Sequence, residues 1–141
     1  MSSADTPRGR ETGETALGTA TILVVDGEEI ALRRAAEMLD GRGFRVITSG
    51  NSIAALALYE QQHASIDLVI LDMIIPGING TQCLAEILRI DHTAKVVMTC
   101  GHPAESYRTL AHERGAAQLI AKPYEDAELI GTVERILSDS E

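Results

Sequence analysis

The sequence predicts an α/β fold with a (βα)5 pattern, and three observations carry that expectation. From Thr21 onward, short β-branched runs alternate with amphipathic segments: TILVV, RVIT, DLVIL, KVVMT and QLIA each lead into a stretch of helical periodicity. The central runs are apolar on both faces, as in a parallel sheet covered by helices on both sides. At 141 residues, 45% of them hydrophobic, the chain suits one compact domain with a sizeable core.

Each element has its own local reason. Met1 to Ala20 is rich in Ser, Thr, Gly and Glu with Leu17 as its large aliphatic residue, so it cannot bury enough surface to offset ordering and is expected to be a flexible tail. The domain is expected over residues 21–138, with 139–141 as a C-terminal end. In the first helix Ala31, Ala35, Met38 and Leu39 share a face, and Gly41 or Gly43 ends it. Ile53, Leu56 and Ala57 mark the second helix. Leu84, Ile87 and Leu88 mark the third, with Asn79 as its cap. For the fourth, Pro103 suits a first-turn position, Leu110 and Ala111 face inward, and Gly115 is the stop. Leu129, Val133, Ile136 and Leu137 line the fifth.

Charge and composition exclude several function classes. A net charge of −9 leaves no basic stripe to displace counterions from DNA or RNA, so nucleic acid is not expected as a direct ligand. Cys83 and Cys100 form no CxxC or Cys/His metal spacing and read as reduced thiols, Cys100 in a packing role. No stretch approaches a membrane span and the N-terminus lacks the apolar core of a signal peptide, so a cytoplasmic protein is expected. His63, His92 and His112 have no common spacing and read as surface residues, and His102 as an exposed loop histidine. Glu28, Glu29, Glu37 and Asp40 suit the solvated face of the first helix.

In a parallel α/β sheet, ligands bind beyond the carboxyl ends of the strands. Polar residues at strand ends therefore define the candidate site: the first strand is expected to end at Asp26, the third at Asp72 in DLVILDMIIPGING and the fourth at Thr99, and the fifth is followed by Lys122 and Pro123. Two adjacent carboxylates repel each other and need a cation or a proton to share the space. Mg²⁺ takes oxygen ligands and commonly bridges one or two carboxylates to a phosphate. Lys122 and the Thr99 hydroxyl would hold the remaining phosphoryl oxygens, leaving Asp72 as the nucleophile of an aspartyl-phosphate.

VVDGEE, DLVILDMIIPGING, VVMTCG and GAAQLIAKPY, in this order and spacing, resemble the response-regulator receiver domain (CheY-like) of two-component signalling over Thr21 to Leu137. That resemblance implies a flavodoxin-like three-layer sandwich with strand order 2-1-3-4-5. It implies an acceptor aspartate, Asp72, that takes phosphate from a histidine kinase or phosphotransferase with Mg²⁺. It also implies Thr99 as the switch hydroxyl, Lys122 as the phosphate-binding lysine, and Asp26 with the Ile74 backbone carbonyl as further metal ligands. A downstream protein would read the face of helix four, strand five and helix five. The domain is expected to be a phosphoacceptor, not an enzyme with a separate substrate, and the chain is expected to carry no output domain.

Three positions depart from the family pattern. Gly27 stands where the second acidic metal ligand is usual, with Glu28 or Glu29 as replacement through a longer reach or a bridging water, or Asp26 moving inward as the alternative. Leu119 occupies the switch-aromatic position. Ile74, two after the acceptor, replaces an often polar residue near the hydrolytic water, so slow hydrolysis of a phosphoaspartate is expected. Gly27 motivates a second reading, an interaction module that is never phosphorylated. A nucleotide- or flavin-binding enzyme is disfavoured because DGEE is acidic and not a Gly-rich phosphate cradle.

Overall fold

The computed structural model describes residues 19–101 and 105–139. The tail expectation for residues 1–18, the assignments of His102 and Pro103, and the last two residues lie outside these. Five strands alternate with five helices: β1 (Thr21–Val25), α1 (Glu29–Asp40), β2 (Arg45–Ser49), α2 (Ser52–Gln62), β3 (Leu68–Asp72), α3 (Gly80–Ile90), β4 (Val96–Cys100), α4 (Glu105–Glu113), β5 (Gln118–Ala121) and α5 (Asp126–Asp139). The strands are all parallel in the order β2-β1-β3-β4-β5. This is the flavodoxin-like three-layer sandwich that the resemblance implied. Ala20, grouped by composition with the tail, is buried, and its carbonyl accepts from Arg45 N at 2.9 Å.

Alternation along each strand divides the core into two layers, because successive side chains point to opposite faces. Leu23, Val69, Leu71 and Met98 pack on one side against Ala55, Cys83, Leu84 and Ala111 from α2, α3 and α4. Ile22, Val24, Ile70 and Val97 pack on the other against Ala35, Leu39, Leu129 and Val133 from α1 and α5. Burying each such aliphatic side chain contributes about 1.5–3 kcal/mol.

The strand ends differ slightly from the sequence pattern, and the differences bear on the site. β3 ends on Asp72 as expected, whereas β1 stops at Val25, one residue before Asp26, and β4 runs one residue past Thr99, to Cys100. The Asn79 side chain caps α3 by accepting from Gln82 N at 2.9 Å, as expected. After α1 and α4, Gly43 and Gly115 take φ of 92° and 104°, a backbone conformation that a Cβ disfavours. Among the described residues no helix is long and apolar enough to cross a membrane.

One helix face was misread. In α2 the buried residues are Ser52, Ala55 and Tyr59, while Ile53 is 62% exposed and Ala57 is exposed. SIAALALY is apolar almost all round, so its periodicity does not single out a face. Tertiary contacts decide it: Ser52, 0% exposed, donates from its backbone N to Pro76 O at 2.9 Å and from Oγ to Ile78 O at 2.7 Å. Ser52 thus ties the loop after β3 to the start of α2. Ser52→Ala is expected to cost about 1–3 kcal/mol, since a loop carbonyl loses its buried donor. Ile53→Ser is expected to stay within about 0.5 kcal/mol of wild type. Urea unfolding of both variants checks the assignment, and the reverse ranking would refute it.

Candidate functional site

Because all strands run in parallel, the last residues of β1, β3, β4 and β5 meet at one edge of the sheet. Asp26 follows β1 directly, and its backbone N donates to Ser49 O of β2 at 3.1 Å. Its Oδ1 accepts from Glu28 N at 2.9 Å. Asp72 closes β3, and its Oδ1 accepts from Ile74 N at 3.3 Å. Lys122 follows β5, secured by its backbone N donating to Cys100 O at 2.9 Å, and a cis peptide joins it to Pro123. Its ammonium bridges the two carboxylates: Nζ lies 2.7 Å from Asp26 Oδ2 and 3.0 Å from Asp72 Oδ2.

Thr99 completes the cluster. It is in register with Asp72 and only 2% exposed, and its carbonyl accepts from Met73 N at 2.8 Å. Its hydroxyl has no hydrogen-bond partner among the described residues. A buried hydroxyl left unpaired costs about 1–3 kcal/mol and calls for an explanation. The structure therefore brings Asp26, Asp72, Thr99 and Lys122 together, as the strand-end argument expected.

Burial sets the electrostatics. Asp26 and Asp72 are 6% and 7% exposed. Burial raises the Asp72 carboxyl above the ordinary carboxylate range; the Lys122 ammonium works against that rise and the Asp26 charge adds to it. For Lys122, burial disfavours the charge, but the hydrogen bonds to Asp26 and Asp72 outweigh it and raise the ammonium above its ordinary value. One cation thus keeps two neighbouring acids compatible.

The remaining predicted residues fall into place unevenly. Glu28 is exposed at the mouth, its backbone N engaged with Asp26, and Glu29 pairs with Arg33 on the surface of α1 at 3.2 Å. Neither carboxylate joins the buried cluster, and among the described residues no three His, Cys, Asp or Glu side chains come together as a metal site. Gly27 itself offers no carboxylate, and a Cβ there would lie 2.5 Å from Pro76 Cδ, so the turn after β1 sits against the proline ring. Ile74 projects outward, 72% exposed, while Leu119 is buried in the core with Met98 and Cys100. Cys83 and Cys100 are both buried, and burial pushes the Cys83 thiol up to about 11, consistent with packing.

Two residues were missed by sequence reasoning. Tyr124 is half-buried and packs against the α1 and α5 layer. Burial raises its phenol, with Lys122, Asp26, Arg34 and Asp72 all close enough to act on it. Its one sequence signal was its position two residues after Lys122. With Glu28, Ile30, Arg34, Lys122 and Pro123 it lines an open cleft of about 900 Å³ beside the site. Ser52 gave no signal of its own. His63, expected at the surface, is half-buried with its ring 5.8 Å from that of Tyr59.

The donor set fits a hard divalent cation. Two buried carboxylates at one sheet edge match the oxygen preference of Mg²⁺, although the usual third acid is missing and an ammonium lies between the two that remain.

Comparison with known proteins gives a consistent result. The family model described as "Response regulator receiver domain" matches residues 22–134. The transcriptional regulatory protein CpxR of Klebsiella pneumoniae is 36% identical over 119 residues, covering 84% of this chain and 50% of that protein. The sensory transduction protein RegX3 of Mycolicibacterium smegmatis is 32% identical over 117 residues, again covering 50% of the relative. The chain thus spans about half the length of the curated relatives it matches. Among solved structures, a response regulator receiver domain protein from Clostridium thermocellum superposes with a TM-score of 0.81 at 30% identity, covering 86% of this chain and 96% of that one. CheY in a complex with CheX, BeF3 and magnesium from Borrelia burgdorferi gives 0.80 at 26% identity, covering 83% and 88%.

The raised Asp72 carboxyl has a thermodynamic consequence. A group whose folded pKa lies above its unfolded value favours the folded state while protonated, and that advantage is lost as pH rises through the folded pKa. Ionised Asp72 therefore destabilises the fold at neutral pH. Asp72→Asn is expected to raise Tm by a few degrees at pH 7, with the difference shrinking as pH falls into the carboxylate range. Thermal unfolding across pH checks this; a Tm gain that persisted unchanged in acid would contradict it.

Proposed function

This chain belongs to the response regulator receiver domain family, and on that premise we propose that Asp72 accepts a phosphoryl group from a phosphohistidine of a histidine kinase or phosphotransferase. Receiver domains are the signalling domains of two-component regulators and generally bind Mg²⁺. The observation that carries the proposal is the pairing of a buried, Lys122-held Asp72 with a buried Thr99 hydroxyl that lacks a partner among the described residues. Such a hydroxyl beside a carboxylate has an obvious occupant in an added phosphoryl oxygen.

In this reading an Asp72 carboxylate oxygen attacks phosphorus, the P–N bond to the donor imidazole breaks as the O–P bond forms, and the leaving imidazole takes up a proton from solvent. The Lys122 ammonium works against the rise that burial imposes on Asp72, which favours the nucleophilic carboxylate. As the phosphoryl group arrives, the ammonium follows its oxygens and the Thr99 hydroxyl donates to another. Asp26 and Asp72, with the Ile74 carbonyl, would hold Mg²⁺, with Glu28 at the mouth as the further candidate ligand. When bound, the ion neutralises charge on the transferring oxygens and offsets the repulsion of the two acids. Drawing Thr99 and Lys122 onto the phosphoryl group then biases the face of α4, β5 and α5 read by a downstream protein.

A second reading rests on Gly27. Without the third acid and with Lys122 between the two that remain, the domain would bind partners and take no phosphate. Incubation with acetyl phosphate and Mg²⁺ separates the two readings. The proposal expects one phosphoryl adduct by intact mass on wild type and none on Asp72→Asn; an unmodified wild type would favour the second reading. In the same assay Gly27→Asp is expected to lower the Mg²⁺ requirement by about tenfold, at some cost in stability because the turn must back away from Pro76.

Ile74 adds a kinetic expectation. An exposed aliphatic chain beside the acceptor offers no hydrogen bond to a hydrolytic water. The phosphorylated form is therefore expected to outlast seconds, and Ile74→Asn to shorten its life. A wild-type phosphoaspartate that decays within seconds in a loss-of-adduct time course would contradict this.

A further inference from the structure

Leu119 occupies the position where an aromatic switch was expected in this family pattern, and the structure closes that route. Its side chain is 5% exposed and lies in the same core layer as Met98, Cys100 and Ala111. No side chain at this position remains outside to swing inward when Thr99 moves. The Leu119 backbone, however, is gripped from outside: Arg108 of α4 donates from Nη1 to Leu119 O at 3.0 Å.

This bond stands out because α4 is otherwise loosely held. Of its nine residues only Ala111 is buried. Among the described residues, the Arg108 bond is the one side-chain hydrogen bond or ion pair from α4 to another element. Its acceptor is on β5, an edge strand that pairs with β4 alone and so turns unpaired backbone groups outward. Leu119 immediately precedes Ile120, which is in register with Thr99, and lies three residues before Lys122 on the strand that carries it. The carbonyl that Arg108 holds is thus one peptide from the backbone on which both phosphate-binding groups depend.

We propose that Arg108 is a positioning residue, a latch that holds α4 against the edge of β5 and couples that helix to the Asp72 site in place of an aromatic switch. The guanidinium suits the task, because its planar donors are pre-organised and lose less freedom per hydrogen bond than an ammonium on its flexible stem. With the bond made, α4 presents one surface, including Tyr107 at 39% exposure. With it broken, little side-chain contact retains the helix. The coupling to phosphate rests on the function proposed above; the latch itself does not.

Hydrogen exchange by mass spectrometry on the full chain tests both parts. In unphosphorylated protein, Arg108→Ala is expected to speed exchange of the α4 amides about three- to tenfold. β1 and β3 should be unchanged, with Arg108→Lys only partly protected. Unaltered α4 exchange in Arg108→Ala, or equal acceleration throughout the sheet, would overturn the latch. With acetyl phosphate and Mg²⁺, wild-type α4 exchange is expected to change and the Arg108→Ala response to be smaller. An undiminished response in the variant would overturn the coupling. A wild type that takes up no phosphoryl group would instead count against the proposed function, while the unphosphorylated comparison still decides the latch.

Discussion

The Lys122 ammonium, shared between Asp26 and Asp72, is the interaction on which the arrangement at the sheet edge depends. Its two partners stand at the ends of β1 and β3, Lys122 itself follows β5, and β4 separates β3 from β5, so the lysine stem must cross the end of β4 to reach both acids. That crossing places Thr99 under the same edge. A parallel sheet makes it possible, because it delivers every strand's carboxyl end to one side. Two layers of aliphatic packing then hold the strands in register.

Buried ion pairs are poor sources of stability, since desolvation offsets most of the Coulombic gain. Two buried acids sharing one half-buried base therefore make more sense as chemistry held ready than as a fastening. Burial raises Asp72, Lys122 draws it back, and the Thr99 hydroxyl remains without a partner among the described residues. The buried Asp72 charge and the unpaired hydroxyl are costs in the resting fold; Lys122 offsets the first, and an added phosphoryl oxygen would relieve the second. Gly27 limits the other side of the balance: with the turn resting on Pro76 and Glu29 committed to Arg33, the acids present to a divalent ion are two.

Most of the fold could be read from the chain because its signals were local. β-branched runs gave the strands, Asn79 announced a cap, and acids at strand ends gave the site. Contacts distant in sequence were not legible. Ser52 sits in an apolar run with no periodic reason to be buried, and only the carbonyls of Pro76 and Ile78 draw it inward and turn Ile53 out. Arg108 resembles any helix-surface arginine until β5 is seen to be an edge. Tyr124 reads as a residue after Lys122-Pro123, and its packing against the α1 and α5 layer follows from the helices on that face.

The most direct test of the shared ammonium is a carboxyl ¹³C titration of Asp26 and Asp72 by NMR in wild type and Lys122→Met. Removing the cation leaves the Ile74 amide alone to oppose burial and the Asp26 charge at Asp72. The account predicts that the Asp72 transition moves to still higher pH in the variant and that added Mg²⁺ pulls it back down. An Asp72 titration indifferent to the loss of Lys122 would contradict it.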